Sequence, residues 1–270
     1  MTREDLAAAR CRRYRKRILE ISQQVTALHI APAFSCTEVV DAIYNELMIH
    51  EKDSSNADVF IMSKGHGCMI QYVILEEHGV LLKDHLDSYC RPNGILGAHP
   101  DYGNPGVRAS TGSLGHGLGM IVGQAYAEKL KNSDVKFYAV LSDGELQEGS
   151  TWEAISMAAS LNLNNITVFV DNNDFTSLER MSVSQPAFYP VVDKVAAFNW
   201  SVSEADGHDT GALLAALADL EPQKPKMIIA KTIKGKGVSF MEGVPIWHYR
   251  SPSSEEFSRA IIELTESDAQ

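Results

Sequence analysis

Apolar residues recur at helical spacing over eight stretches of the chain, residues 3–22, 37–48, 66–77, 114–130, 152–161, 191–198, 210–220 and 255–264. Between the later ones lie four short runs rich in β-branched and aromatic residues, 137–141, 166–170, 200–202 and 227–230, each too short for a helix. Strand-sized apolar runs alternating with amphipathic helices predict an α/β fold, a three-layer α/β/α arrangement around a mostly parallel sheet. No repeat, low-complexity tract or Gly/Ser/Pro-rich linker interrupts the pattern, so residues 1–270 are expected to form a single domain. In such sheets ligands collect beyond the carboxyl ends of the strands. The polar segments that follow the runs are therefore the first candidates for chemistry: Ser142-Asp143-Gly144, Asp171-Asn172-Asn173, Asp206-Gly207-His208 and Lys234-Gly235-Lys236-Gly237.

Charge narrows the field. With 24 Lys and Arg against 35 Asp and Glu the net charge is −11, which opposes binding to nucleic acid or an anionic membrane. No run approaches the roughly 18 uncharged apolar residues that a bilayer span requires. The basic cluster Arg10, Arg12, Arg13, Arg15, Lys16 and Arg17 is followed by Glu20, Gln23, Gln24 and His29 and not by an apolar segment, so it does not read as an export signal. It is expected to be a solvated or partner-facing helix surface. Four cysteines, Cys11, Cys36, Cys68 and Cys90, lie far apart with no CxxC, which indicates neither a zinc site nor a disulfide framework and fits a reducing cytoplasm.

Asp143 and Asn173 follow successive strand runs with one helix between them. A right-handed crossover sets both at one edge of the sheet. Neighbouring strands are about 4.8 Å apart, a gap that a cation bound at about 2.0–2.1 Å from each oxygen can bridge. A carboxylate, an amide oxygen and a nearby backbone carbonyl leave octahedral positions for water and phosphate, the usual way Mg²⁺ is held beside a diphosphate. Gly144 allows the turn after the acid. Either segment alone is ordinary turn chemistry; their separation across a single strand-helix-strand unit points to a metal and diphosphate site.

The same residues resemble a known family. The interval from Asp143-Gly144 to Asn172-Asn173 is similar to the thiamine diphosphate fingerprint, and Ser142-Asp143-Gly144-Glu145-Leu146-Gln147-Glu148-Gly149 resembles its transketolase form. Four further segments match in order: Ser63-Lys64-Gly65-His66-Gly67, Leu96-Gly97-Ala98-His99-Pro100, Ser110-Thr111-Gly112-Ser113-Leu114-Gly115-His116-Gly117 and Lys234-Gly235-Lys236-Gly237-Val238. The resemblance covers nearly the whole chain and implies a thiamine diphosphate-binding fold, specifically its diphosphate-binding domain.

By that resemblance the metal, Mg²⁺ or in its place Ca²⁺ or Mn²⁺, takes the side chains of Asp143 and Asn173 and the backbone carbonyl of Phe175. His66, Gly112, Leu114, Gly144, Asn173, His248 and Glu148 are implied as the cofactor-binding set. His29, His66, His99 and His248 are the implied catalytic histidines, with His29 and His99 facing the substrate and His66 and His248 near the diphosphate. Imidazole suits that place because it donates to phosphate and titrates near neutrality. Residues 112–117 are expected to open a helix near Leu114 whose backbone N–H groups face the cofactor. Glu148 and Glu153 match acids that lie between the two active sites of family dimers.

The chain departs from the family in places. His29 sits in Leu28-His29-Ile30-Ala31-Pro32-Ala33-Phe34-Ser35, where the family has a Gly-His-Pro-Gly-Gly run, and the lost glycines are expected to reshape the pocket wall. Ser142 replaces the first glycine of the fingerprint, Arg108 stands where an acid or neutral residue is common, and Leu178-Glu179-Arg180 lacks an Asp-Gly turn.

The glutamate that activates the cofactor's pyrimidine belongs, in transketolases, to a second domain, followed by a third. A chain ending at Gln270 is expected to hold neither. The resemblance then implies a split enzyme: a partner chain carrying that glutamate, an α₂β₂ heterotetramer, sugar or sugar-phosphate substrates, and an isolated chain without activity. The expected reaction is transfer of a two-carbon ketol unit from a ketose to an aldose. Two alternatives remain beside it, a relative using the same cofactor on an unusual donor or acceptor, and a non-catalytic regulatory subunit.

Overall fold

In a computed structural model of the protein, residues 1–25, 28–50 and 57–266 are described. The chain runs through α1 (Arg3–Ser22), α2 (Ile30–Ser35), α3 (Thr37–Ala42) continued by a π-helical turn (Ile43–Leu47), β1 (Val59–Met62), α4 (Cys68–Glu77), α5 (Lys83–Asp87) and α6 (Gly117–Leu130). It continues through β2 (Phe137–Ser142), α7 (Gly149–Ser160), β3 (Ile166–Asn172), the hairpin β4 (Phe175–Thr176) and β5 (Glu179–Arg180), α8 (Met181–Ser184) and α9 (Val191–Ala196). The last elements are β6 (Ser201–Asp206), α10 (Thr210–Ala218), β7 (Lys226–Lys231) and α11 (Ser254–Glu266).

Strands β1, β2, β3, β7 and β6, in that spatial order, form one parallel sheet. Successive side chains on a strand point to opposite faces, and both faces here are covered. Tyr138, Val140, Phe169, Ile228 and Ala230 pack with apolar residues of α1, α2, α3, α4, α10 and α11. Their neighbours Phe137, Ala139, Leu141, Val168, Val170 and Ile229 pack with α6, α7 and α9. This is the expected three-layer α/β/α arrangement, and it explains why the strands read as unbroken apolar runs.

Strand β1 was not among the expected strands. Its four residues lead almost directly into the motif 63–67, and only pairing with β2, Val59 opposite Phe137 through Met62 opposite Val140, marks them as sheet. The basic face of α1 is also corrected. Arg10 bonds Asp41 at 2.8 Å and Glu46 at 3.0 Å, Arg17 bonds Glu76 at 2.8 Å and Asp87 at 3.0 Å, and Arg13 reaches Glu77 at 3.2 Å. Arg15 is buried against Glu38 at 2.6 Å. These pairs tie α1 to its neighbours, with Arg15 wholly inside, while Arg13 keeps an exposed side chain. Among the described residues no helix is long and apolar enough to cross a membrane.

Candidate active site

The sheet register brings the predicted chemistry to one level. Ser142 pairs with Asp171, and Asp171 with Ala230, so the loops after β2, β3 and β7 leave the carboxyl edge side by side. Asp143 is fully buried there, its Oδ1 accepting from the Gly144 N–H at 2.8 Å and its Oδ2 from the Asp174 N–H at 2.6 Å. Burial, together with the charge on Asp171, pushes its carboxyl up to about 7. The Asn173 amide nitrogen donates to Ser35 Oγ at 3.0 Å and Asp171 Oδ2 at 3.1 Å, while Asn173 Oδ1 accepts from the Phe175 N–H at 3.0 Å. Phe175 opens the β4–β5 hairpin, whose turn is made without Asp-Gly because Ser177 itself takes a φ of +55°.

Beyond this edge lies a cavity of about 360 Å³ lined by His29, His66, His99, His248, Gly112, Leu114, Gly144, Asn173 and Phe175. The four histidines converge: the His29 ring lies 6.0, 5.7 and 5.5 Å from those of His66, His99 and His248, and His66 stacks on His248 at 5.5 Å. Burial lowers His29 to about 4 and His248 to about 3, helped by nearby charges, and holds His66 well below its ordinary value. The rings of His29, His66 and His248 are therefore neutral around pH 7, and a neutral imidazole offers one donor and one acceptor.

Two lysines of the cavity wall stand in segments already marked in the sequence but were assigned no role there. Lys64 is buried in an ion pair with Asp171 and donates to the Pro32 carbonyl at 3.0 Å. Lys234 donates to the Ser177 carbonyl at 2.8 Å and contacts His248 Nδ1 at 2.7 Å. A protonated amine can only donate, so Nδ1 accepts and the His248 proton sits on Nε2. Burial, aided by the charge of Lys64, lowers Lys234 to about 8, still cationic at neutral pH. Tyr249 lies at the rim, 4.4 Å from His248 and 5.7 Å from His29 between ring centroids, its hydroxyl 2.7 Å from Ser177 Oγ. The Lys234 and Tyr249 positions stand in plain view in the sequence, but only folding of the 232–250 segment over the sheet edge reveals them.

Other expectations change. The helix expected near Leu114 starts at Gly117, and residues 112–116 form a loop with Gly112 at φ +127° and Gly115 at φ +87°. Leu114 and Gly112 reach the cavity from that loop, not from a helix N-terminus. Glu148 and Glu153 are exposed, and neither lines the cavity. In the segment around His29, residues Ile30, Ala31, Ala33 and Phe34 have no exposed surface and face the core, so Pro32 alone of these replacements forms pocket wall. His208, after β6, lies elsewhere: it bonds Glu38 at 3.0 Å and accepts from the Ile233 N–H at 2.8 Å, which fixes α3 to the loop after β7.

The donor chemistry fits a diphosphate held through a hard cation. Asp143, Asn173 and the Phe175 carbonyl supply only oxygen, which suits Mg²⁺. Among the described residues no group of three His, Cys, Asp or Glu side chains is placed to hold a metal; a cation here depends on the amide, the carbonyl and oxygens of its ligand. Lys64, Lys234, His66 and His248 line the same cavity with groups able to donate to an anion. Gly112 leaves the room, since a Cβ there would come within 2.7 Å of the His99 ring.

Comparison with known proteins agrees with this geometry. Residues 10–257 match the family model described as transketolase, thiamine diphosphate binding domain. The chain is 35% identical over 261 residues to a protein of Phocaeicola vulgatus named as one of the subunits of apulose-4-phosphate transketolase, covering 93% of this chain and 91% of that one. It is 33% identical to a 6-deoxy-6-sulfo-D-fructose transketolase subunit of a Clostridium species, covering 94% of each. Among solved structures, transketolase from Campylobacter jejuni superposes with a TM-score of 0.87 at 26% identity, covering 98% of this chain but 43% of that one. The chain thus spans less than half the length of that transketolase.

Proposed function

The chain belongs to the transketolase family, and from that premise we propose that it is the diphosphate- and metal-binding subunit of a two-chain transketolase, moving a two-carbon ketol unit from a ketose to an aldose. One observation carries the reading: four histidines and the cationic Lys234 meet in a single cavity that Asn173 and Gly144, next to Asp143, also line. A decayed, purely regulatory subunit has no physical need for that convergence. The similar lengths of the two relatives named as subunits support a division of the enzyme between chains. We place the pyrimidine-binding glutamate on the partner chain, in an α₂β₂ assembly. The relatives' names point to substrates with an anionic tail, and we expect a ketose of that class here. The four free cysteines suit the cytoplasm.

In this reading Asp143, Asn173 and the Phe175 carbonyl hold Mg²⁺. Lys234 and the Nε2–H of His248 donate to the diphosphate, with His66 beside them. Bound thiamine diphosphate supplies the electron sink for carbon–carbon cleavage next to a ketose carbonyl. Gly112, Leu114 and Gly144 seat the cofactor by leaving its path clear. His29 and His99 line the cavity, where they orient substrate hydroxyls, and the neutral His29 ring accepts or returns a proton at a ring nitrogen.

The test is calorimetric titration of Mg²⁺ and thiamine diphosphate into the reconstituted two-chain complex, followed by assay of ketol transfer. Binding and transfer should require both chains, and Asp143→Ala should abolish tight binding. Unchanged binding in that variant, or full turnover by this chain freed of its partner, would contradict the assignment.

A further inference from the structure

Asp171 does more than complete a buried ion pair. Its carboxylate has no exposed surface and accepts four side-chain donors: Ser35 Oγ at 2.6 Å, Thr232 Oγ1, Lys64 Nζ, and the Asn173 amide nitrogen at 3.1 Å. The two oxygens divide the work. Oδ1 serves the two hydroxyls, and Oδ2 serves Lys64 and Asn173. An ionised carboxylate can only accept, so whichever end of the Asn173 amide faces Oδ2 must be its NH₂. The amide oxygen is then forced the other way, toward the Phe175 N–H and the carboxyl edge. A cation needs that oxygen and is repelled by the NH₂ group.

We propose that Asp171 is the positioning residue of the metal site, holding the Asn173 side chain in the one amide orientation that presents oxygen to the cation. Lys64 serves Asp171 as its buried ion-pair partner. Hydrogen-bonded groups behind a metal ligand commonly contribute about 10- to 100-fold in metal affinity. The inference rests on the metal reading of the site.

Its test is Mn²⁺ binding to the two-chain complex, read from the EPR signal of free Mn²⁺ with and without thiamine diphosphate. Two variants are compared, Lys64→Met/Asp171→Asn and Lys64→Met/Asp171→Val, so that Lys64 is absent from both and no unpaired cation is buried. In the Asn version the oxygen can still face Asn173, because the Ser35 and Thr232 hydroxyls can accept from its NH₂. Val suits a strand but offers no acceptor. The Val version should bind Mn²⁺ about 10- to 100-fold more weakly than the Asn version, and adding Asn173→Asp to both should erase the difference, because a carboxylate has no NH₂ end to turn. Lys64→Met/Asp171→Ala is carried in parallel in case valine prevents folding, and melting temperatures check all variants. Equal affinities of the acceptor-bearing and acceptor-free versions would overturn this inference alone. Failure of the wild-type complex to bind Mn²⁺, or indifference of that binding to Asp143→Ala, would overturn the metal site and this inference with it.

Discussion

Replacing Gly112 with alanine probes the loop 112–116 that reaches the cavity. Gly112 sits at φ +127°, and a Cβ there would lie 2.7, 2.8 and 3.1 Å from Cγ, Cδ2 and Cβ of His99. Ordinary carbon contacts need about 3.5–4.0 Å. His99 cannot simply retreat, because its carbonyl accepts from the Tyr72 hydroxyl at 2.9 Å. The ring must instead swing into the cavity toward His29. The backbone conformation costs about 1–3 kcal/mol for a residue with a Cβ, and overpacking adds a similar amount. A total near 3 kcal/mol corresponds to a melting temperature lower by about 6–12 °C in a chain of this size. Misplacing His99 should also cost on the order of 10²-fold in ketol transfer. Melting followed by circular dichroism on the isolated chain reads the first effect, and turnover of the two-chain enzyme reads the second. Gly119→Ala is the control of opposite sign: that helical glycine has nothing within 4 Å of the added carbon, so alanine should stabilise by up to about 1 kcal/mol. An unchanged melting temperature and turnover in Gly112→Ala would refute the packing argument.

Three further outcomes follow from the same structure. Arg15→Met removes the guanidinium from the buried Glu38 and should destabilise by about 3–5 kcal/mol, measured as a lower urea midpoint; loss under 1 kcal/mol would show that the pair is not buried in solution. Phe34→Ala, at a side chain with no exposed surface, should cost about 3–5 kcal/mol while Ile30→Val leaves the substrate KM unchanged; a large KM change in Ile30→Val would mean that this segment lines the pocket after all. Stability should fall on acidification below the ordinary histidine value of 6.5, because the unfolded chain takes up protons that His29 refuses until about pH 4 and His248 until about pH 3. The urea midpoint should thus be lower at pH 5 than at pH 7.5, and His29→Gln/His248→Gln should flatten the difference; an unaltered slope in the double variant would count against burial of neutral rings.

Much of the site was legible as sequence because each motif is local. His66, His99, Gly112, Leu114, Gly144 and Asn173 stand in short runs whose order along the chain already marked them, and the alternation of runs and helices announced a parallel sheet that brings its loops to one edge. The apolar run 59–62 escaped because a strand of four residues differs from the start of a helix only by its partner. The pairing of the α1 arginines is hidden for a similar reason: most of their acids lie far off in the chain, 23 positions from Arg15 to Glu38 and 70 from Arg17 to Asp87. Charge seen along a chain does not reveal charge matched across it.

The sequence by itself determined the fold class, the family and the identity of the groups that meet at the carboxyl edge, because periodicity and motif spacing are written in neighbouring residues. Tertiary structure alone decided which of those groups share a cavity. It turned Ile30, Ala31, Ala33 and Phe34 into core, kept Glu148 out of the pocket, and brought in Lys64, Lys234 and Tyr249. It also set Asp171 against Asn173, where one buried carboxylate dictates which way an amide faces. Such choices depend on strand register and on contacts between distant segments, and those exist only once the sheet has formed.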